Sequence, residues 1–156
     1  MGMGSLSQEP FRAEGARDEF QGPEHRRTAT PGRLTTHQRA VVRMARARWA
    51  EELVADFYRR DGYQIIARNW HCREGELDIV AFSICDMVPT IAVVEVRARA
   101  TDYFGSPLES VTHAKQKKLR IATRKFLTSE SCVYGAVRFD VASVLGTKIE
   151  VVQNAF

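Results

Sequence analysis

In the stretch AVVEVRAR, Ala92 to Arg99, a glutamate interrupts the most apolar run of the chain, and arginines follow it at alternate positions. Upstream, GELDIV carries Glu76 and Asp78. A buried carboxylate is costly unless a cation, a metal or a hydrogen-bond network receives it. Glu95 therefore either faces water or serves chemistry. Side chains two apart on a strand share a face, so Glu76 points with Asp78, and Glu95 with Arg97 and Arg99. If the two segments pair as a hairpin, Asp78 and Glu95 meet on neighbouring strands. Two carboxylates with a third oxygen donor and water form a hard site of the kind Mg²⁺ or Mn²⁺ occupies. A metal held there activates water and takes up the charge that builds on a phosphate during displacement.

These side chains need a scaffold, and the hydrophobic pattern supplies one. From His37, Val42, Ala45, Trp49, Leu53 and Phe57 recur at helical spacing, and Asp61-Gly62 supplies a stop. Glu51 shares a helix flank with Val54, Ala55 and Tyr58, at the border of a buried side, and is placed to bring a third carboxylate to the sheet. Tyr63–Trp70, Glu76–Phe82 and Thr90–Ala98 read as strands. Thr112 suits the N-cap of a second helix running to about Thr128, with Leu119, Ala122 and Phe126 on its apolar face. VRFDVASVL and KIEVV, separated by Gly146 and Thr147, form a last hairpin. The order helix, three strands, helix, two strands predicts one α/β domain without internal repeats. Between Asp78 and Glu95 the segment IVAFSICDMVPTIAVV holds no glycine turn, so turn chemistry does not set their register.

Charge points to a polyanion. Of 156 residues, 44% are hydrophobic and 27% charged, with a net charge of +4. Residues 1–38 are balanced, so the whole excess lies in 39–156. KQKKLRIATRK holds Lys115, Lys117, Lys118, Arg120, Arg124 and Lys125 without an acid. Lys117, Arg120 and Arg124 form one stripe suited to phosphates. Lys115 instead lies in line with Leu119, Ala122 and Phe126, and points toward the core or the site. Its plainer reading is a lysine snorkelling from the core edge to water. The first helix adds Arg39, Arg43 and Arg46.

Other features narrow the class. Cys72, Cys85 and Cys132 form no Cys-x-x-Cys pair and read as reduced core fillers of a cytoplasmic protein. No apolar run approaches a membrane span, and no basic segment followed by an apolar one opens the chain. Residues 1–36, rich in Gly, Pro, Ser, Thr and Arg with isolated apolar residues, are expected to be a disordered tail ahead of a domain at 37–156.

GELDIV with Asp78, VVEVRAR with Glu95, GSPLESVTHAKQKKL and RFDVASV…NAF together resemble the bacterial YraN-like family over about His37 to Phe156. That family is largely uncharacterised and belongs by fold to the restriction-endonuclease-like nucleases, the PD-(D/E)xK group. The resemblance implies a mixed central sheet flanked by helices and a metal-dependent phosphodiesterase core similar to archaeal Holliday junction resolvases. It implies Mg²⁺ or Mn²⁺ held by Asp78 and Glu95, with Glu51 as the helix carboxylate and Arg97 at the position of the motif lysine. The implied substrate is DNA, branched or flapped, and resolvases of this kind act as homodimers. Arg97 departs from the pattern, because a guanidinium stays protonated and accepts no proton. The alternative function is a nucleic-acid-binding protein that keeps the fold without turnover.

Plainer roles stand beside these. Asp78 and Glu95 could form structural ion pairs, Glu95 with Arg99 or Arg68, and Glu51 could be a surface residue. Asp140 suits a structural place at a sheet edge, and Trp49 and Trp70 suit the core.

Overall fold

The computed structural model describes residues 33–100 and 111–156. Most of the tail expected at 1–36, and GSPLES of the quoted motif, lie outside the described residues. Thr35 opens the first helix, α1 (Thr36–Arg60), with a capping box: its hydroxyl accepts the Gln38 amide, and the Gln38 side chain accepts the Thr35 N–H at 2.8 Å. The chain is thus already helical at the expected edge of the tail. Asp61 caps the other end, and Gly62 takes the left-handed backbone, φ 84, that the exit turn requires.

Three strands follow: β1 (Gln64–Cys72), β2 (Gly75–Cys85) and β3 (Val88–Arg99). The second helix, α2 (His113–Ser129), starts at Thr112 as expected, and β4 (Ala136–Leu145) and β5 (Lys148–Val152) close the fold. The sheet runs in the order β1-β2-β3-β4-β5. It is mixed, since β3 and β4 are parallel and the other neighbours antiparallel. Parallel neighbours need a crossover, and α2 lies in it. The observed element order is the one the hydrophobic pattern predicts.

Alternation along the strands builds two cores. On one face Ile79, Ala81, Ala92, Val94 and Ala142 pack with Ala50, Val54, Ala55 and Tyr58 of α1. On the other, Val80, Ile91, Val93 and Val141 pack with Leu119, Ala122 and Phe126 of α2. Each fully buried aliphatic side chain contributes roughly 1.5–3 kcal/mol.

Two sequence expectations fail here. The expected stripe of α1 is not the buried one: Val42, Trp49 and Phe57 are exposed. Buried residues of the helix begin only at Ala50 and include two alanines, because small side chains let helix and sheet approach closely. The stretch lacking a glycine nevertheless turns tightly. Cys85 pairs with Val88, leaving only Asp86 and Met87 in the loop, both left-handed with φ 49 and 67. Positive φ at both positions is the signature of a type I′ hairpin. The register of β2 against β3 follows from it.

Candidate active site

Hairpin pairing of β2 with β3 runs from Cys85–Val88 to Ile79–Val94 and ends there. Beyond that point β2 stays with β1 as far as Gly75, whereas β3 stays with β4 as far as Arg99. The sheet forks, and the next residues on the two prongs are Asp78 and Glu95. A fork orphans backbone donors that a buried strand must satisfy. Asp78 meets one of them, its Oδ2 accepting the Val96 N–H at 2.8 Å.

Strict alternation also breaks at this point. Leu77 packs on the α2 side and Ile79 on the α1 side, although two-residue spacing would place them together. Opposite the break, Asn69 of β1 takes φ 49. Its amide is thereby aimed at α1, where it donates to Glu51 Oε2 at 2.9 Å. Asn69 is a positioning residue that sequence reasoning missed, and an asparagine inside a strand pattern was its one available signal.

Glu95 is only 3% exposed. Arg97 Nη2 lies 3.2 Å from its Oε1, and Lys115 Nζ, from the first turn of α2, lies 3.2 Å from its Oε2. That second oxygen accepts no well-directed hydrogen bond among the described residues. Lys115 also approaches Glu76 Oε1 at 3.6 Å, and His71 approaches the other oxygen of Glu76 at 3.7 Å. Burial, with the neighbouring charge of Glu95 added, pushes Asp78 up to about 7. Burial likewise raises Glu95, against the opposing pull of Lys115 and Arg97. The fork thus holds two carboxylates that resist being charged together, and cations lean on one of them.

Asp78, Glu95, Arg97 and Lys115 therefore converge, with Glu76 at their margin, while Glu51 stands on the α1 flank beyond Asn69, where its charge bears on Asp78. The structural partners of Glu95 are Arg97 and Lys115, while Arg68 pairs with Glu52 at 2.5 Å, which displaces Arg68 as its expected partner. Lys115 does more than snorkel to water: its half-buried side chain brings Nζ to two carboxylates at the edge of the cleft. The rest of the basic helix divides. Lys118 lines a cleft of about 350 Å³ beside the fork with His71, Glu74, Glu76 and Lys115. Lys125 is neutralised by Glu74 at 2.6 Å. Arg120 lies over the rings of Phe139 and Phe156, 4.9 and 5.5 Å from their centroids, away from the fork. Lys117 and Arg124 are exposed.

Asp140 is not at a sheet edge. It is buried in β4, where Tyr58 Oη donates to it at 2.7 Å, Arg138 Nε at 3.0 Å and the Asn154 amide at 2.9 Å.

Residues 50–144 match the family described as "Uncharacterised protein family UPF0102". A UPF0102 protein of Acidothermus cellulolyticus is 43% identical over 132 residues, 75% of this chain and 97% of its own length. Another, from Syntrophomonas wolfei subsp. wolfei, is 41% identical over 112 residues, 69% of this chain and 94% of that protein. The chain belongs to UPF0102. The YraN-like resemblance read from the sequence is to this family. The UPF0102 match begins one residue before Glu51 and ends within β4, so it encloses both prongs of the fork and Lys115. Among the described residues, no helix is long and apolar enough to cross a membrane.

Proposed function

We propose that this UPF0102 protein is a metal-dependent endonuclease of the restriction-endonuclease-like fold, acting on phosphodiester bonds in DNA, including branched or flapped DNA. The observation that carries the reading is the fork, where Asp78 and Glu95 meet as the first residues beyond the last β2–β3 pair. Two hard oxygen donors suit Mg²⁺ or Mn²⁺, since Mg²⁺ commonly takes one or two carboxylates and fills its remaining positions with water and phosphate. No group of three or more His, Cys, Asp or Glu side chains at metal-holding spacing occurs among the described residues. The buried Oε2 of Glu95 without a directed hydrogen bond is the atom a cation would satisfy.

When bound by Asp78 and Glu95, the ion supplies an acidified water and neutralises charge developing on the phosphate. The chain's own residues supply the rest. Arg97 offers a fixed guanidinium to a phosphate oxygen but takes no proton. Lys115 places an ammonium against the same carboxylate, so the amine absent from position 97 is present on α2. Asn69 holds Glu51 on the helix flank of the site.

One observation favours the reading without turnover. Arg97 and Lys115 already pair with Glu95 and compensate its charge with no metal. The test is cleavage of labelled single-stranded, duplex, flapped and four-way-junction DNA with Mg²⁺ or Mn²⁺, alongside Asp78→Asn and Glu95→Gln. Metal-dependent cutting lost in both folded variants is expected. Thermal melting provides a second readout, because an ion that binds only the native state raises its midpoint. Mg²⁺ should raise the wild-type midpoint and neither variant's. Binding of DNA that persists in EDTA, without cutting or a metal-induced shift, would establish the binding protein instead.

A further inference from the structure

The part of α1 ahead of the fork is arginine-rich. Arg39, Arg43, Arg46 and Arg48 are all exposed, and no acid lies within residues 36–50. None of the four makes an ion pair among the described residues. Arg39, Arg43 and Arg46 recur at i, i+4 and i+7, and Val42, Ala45 and Trp49 run at i, i+3 and i+7 beside them. Trp49 is 43% exposed and lines a cleft of about 350 Å³ with Arg46, Ala50, Ala98, Arg99 and Val144. That volume lies in the range of small-ligand sites. On the opposite flank of the same helix, Arg48 and Glu51 line a second groove with Asn69 and His71. Trp49 and Glu51 thus stand at one height on α1, and Ala98 lies three residues of strand, about 10 Å, beyond Glu95.

An apolar cleft walled by an exposed indole and edged by Arg46, with Arg43 and Arg39 in line beyond it, suits one chemistry. A nucleobase has an apolar face to stack and a phosphate on either side to meet a cation. Stacking requires that face to be free of neighbouring bases, and within a duplex the base stack covers it. We propose that the Trp49 cleft binds an unpaired base of single-stranded DNA, whose flanking phosphates lie on Arg39, Arg43 and Arg46. The strand is thereby led toward the fork, which gives the protein a preference for splayed or flapped ends over blunt duplex. The inference rests on the nucleic-acid reading above but not on turnover.

The test is equilibrium binding of a short oligothymidylate and of a blunt duplex to the full chain in EDTA. It is followed by anisotropy, and by tryptophan fluorescence in a Trp70→Phe background so that Trp49 alone reports. The oligothymidylate should bind more tightly than the duplex and quench Trp49. Trp49→Ala should weaken it about tenfold, and Trp49→Phe, which keeps an aromatic face, should retain most of the affinity. Arg43→Ala with Arg46→Ala should weaken binding and flatten its dependence on salt. Trp49→Ala binding like wild type, with the arginine variant still weakened, would overturn the stacking site and leave the DNA reading intact. Failure of every form to bind either DNA at low salt would overturn both. A wild-type dimer in sedimentation that Trp49→Ala dissociates would overturn the base site and assign the cleft to a second copy of the chain.

Discussion

Glu95 sits in an apolar strand because three local circumstances coincide at one residue. Its strand has just lost β2 as a neighbour, Arg97 shares its face, and α2 delivers Lys115 to its second oxygen. Asp78 shows the cost of that arrangement. Its carboxyl in the folded protein titrates near 7, against an ordinary value of 3.8, through burial and the charge of Glu95. Between those two pH values the folded state keeps a proton that the unfolded state has released, so stability falls as pH rises. The contribution is full below about pH 4 and is lost as pH passes through about 7. Asp78→Asn keeps an oxygen for the Val96 amide and removes the titration. Without divalent metal it should therefore exceed the wild type in stability at pH 8 by a few kcal/mol, about 1.4 for each pH unit between the two values, and the gain should vanish near pH 4. Urea unfolding at the two pH values measures this, and an equal offset at both would refute the repulsion. Lys115 was partly legible in advance, since its spacing from Leu119, Ala122 and Phe126 aimed it inward. Spacing names a face, however, and what that face meets is set by another strand.

At the scale of elements, the β2–β3 hairpin decides whether a site exists at all. Side chains alternate with period two, so a slip of one residue would send Glu95 to the opposite face from its partners. The register rests on a two-residue turn whose left-handed positions are occupied by Asp86 and Met87, and Met87 is 91% exposed. A left-handed backbone is unfavourable for a residue with a long side chain and easy for glycine. Met87→Gly should therefore stabilise the protein by about 1 kcal/mol, read as a higher urea midpoint with an unchanged slope. A lower midpoint would mean that the turn is held by contacts of Met87 itself. The turn escaped sequence reading because its usual glycine and asparagine signals are absent. Seven residue pairs carry the register set at that turn along the two strands. The stripe of α1 was misread for a related reason: both flanks of that helix carry apolar residues, and only contact with the sheet chooses between them.

Across the whole molecule, α1 serves both the fork, through Glu51, and the cleft at Trp49, so its seat on the sheet matters to each. Asp140 secures that seat. Tyr58 of α1 donates to it across the core, and Arg138 and the Asn154 amide complete its shell. Burial and the charge of Asp140 push the Tyr58 hydroxyl well above its usual range, so it remains a donor. Asp140→Ala strands three donors, one of them charged, and should cost about 3 kcal/mol or more. Tyr58→Phe should cost about 1 kcal/mol, with chemical denaturation as the measurement. A near-neutral Asp140→Ala would show that water replaces the carboxylate.

The sequence by itself determined the element order, the caps at Thr112 and Asp61-Gly62, the apolar face of α2, the basic balance and the family resemblance. These are local quantities, carried by periodicity, turn residues and composition within a short window. Tertiary structure alone decided that Asp78 and Glu95 meet at a fork, that Lys115 reaches Glu95, that Asn69 steers Glu51, and that Trp49 is left exposed. Each of these depends on where one element stops relative to another. That stopping point is set by strand register and by the packing of two helices on opposite faces, which no single segment encodes.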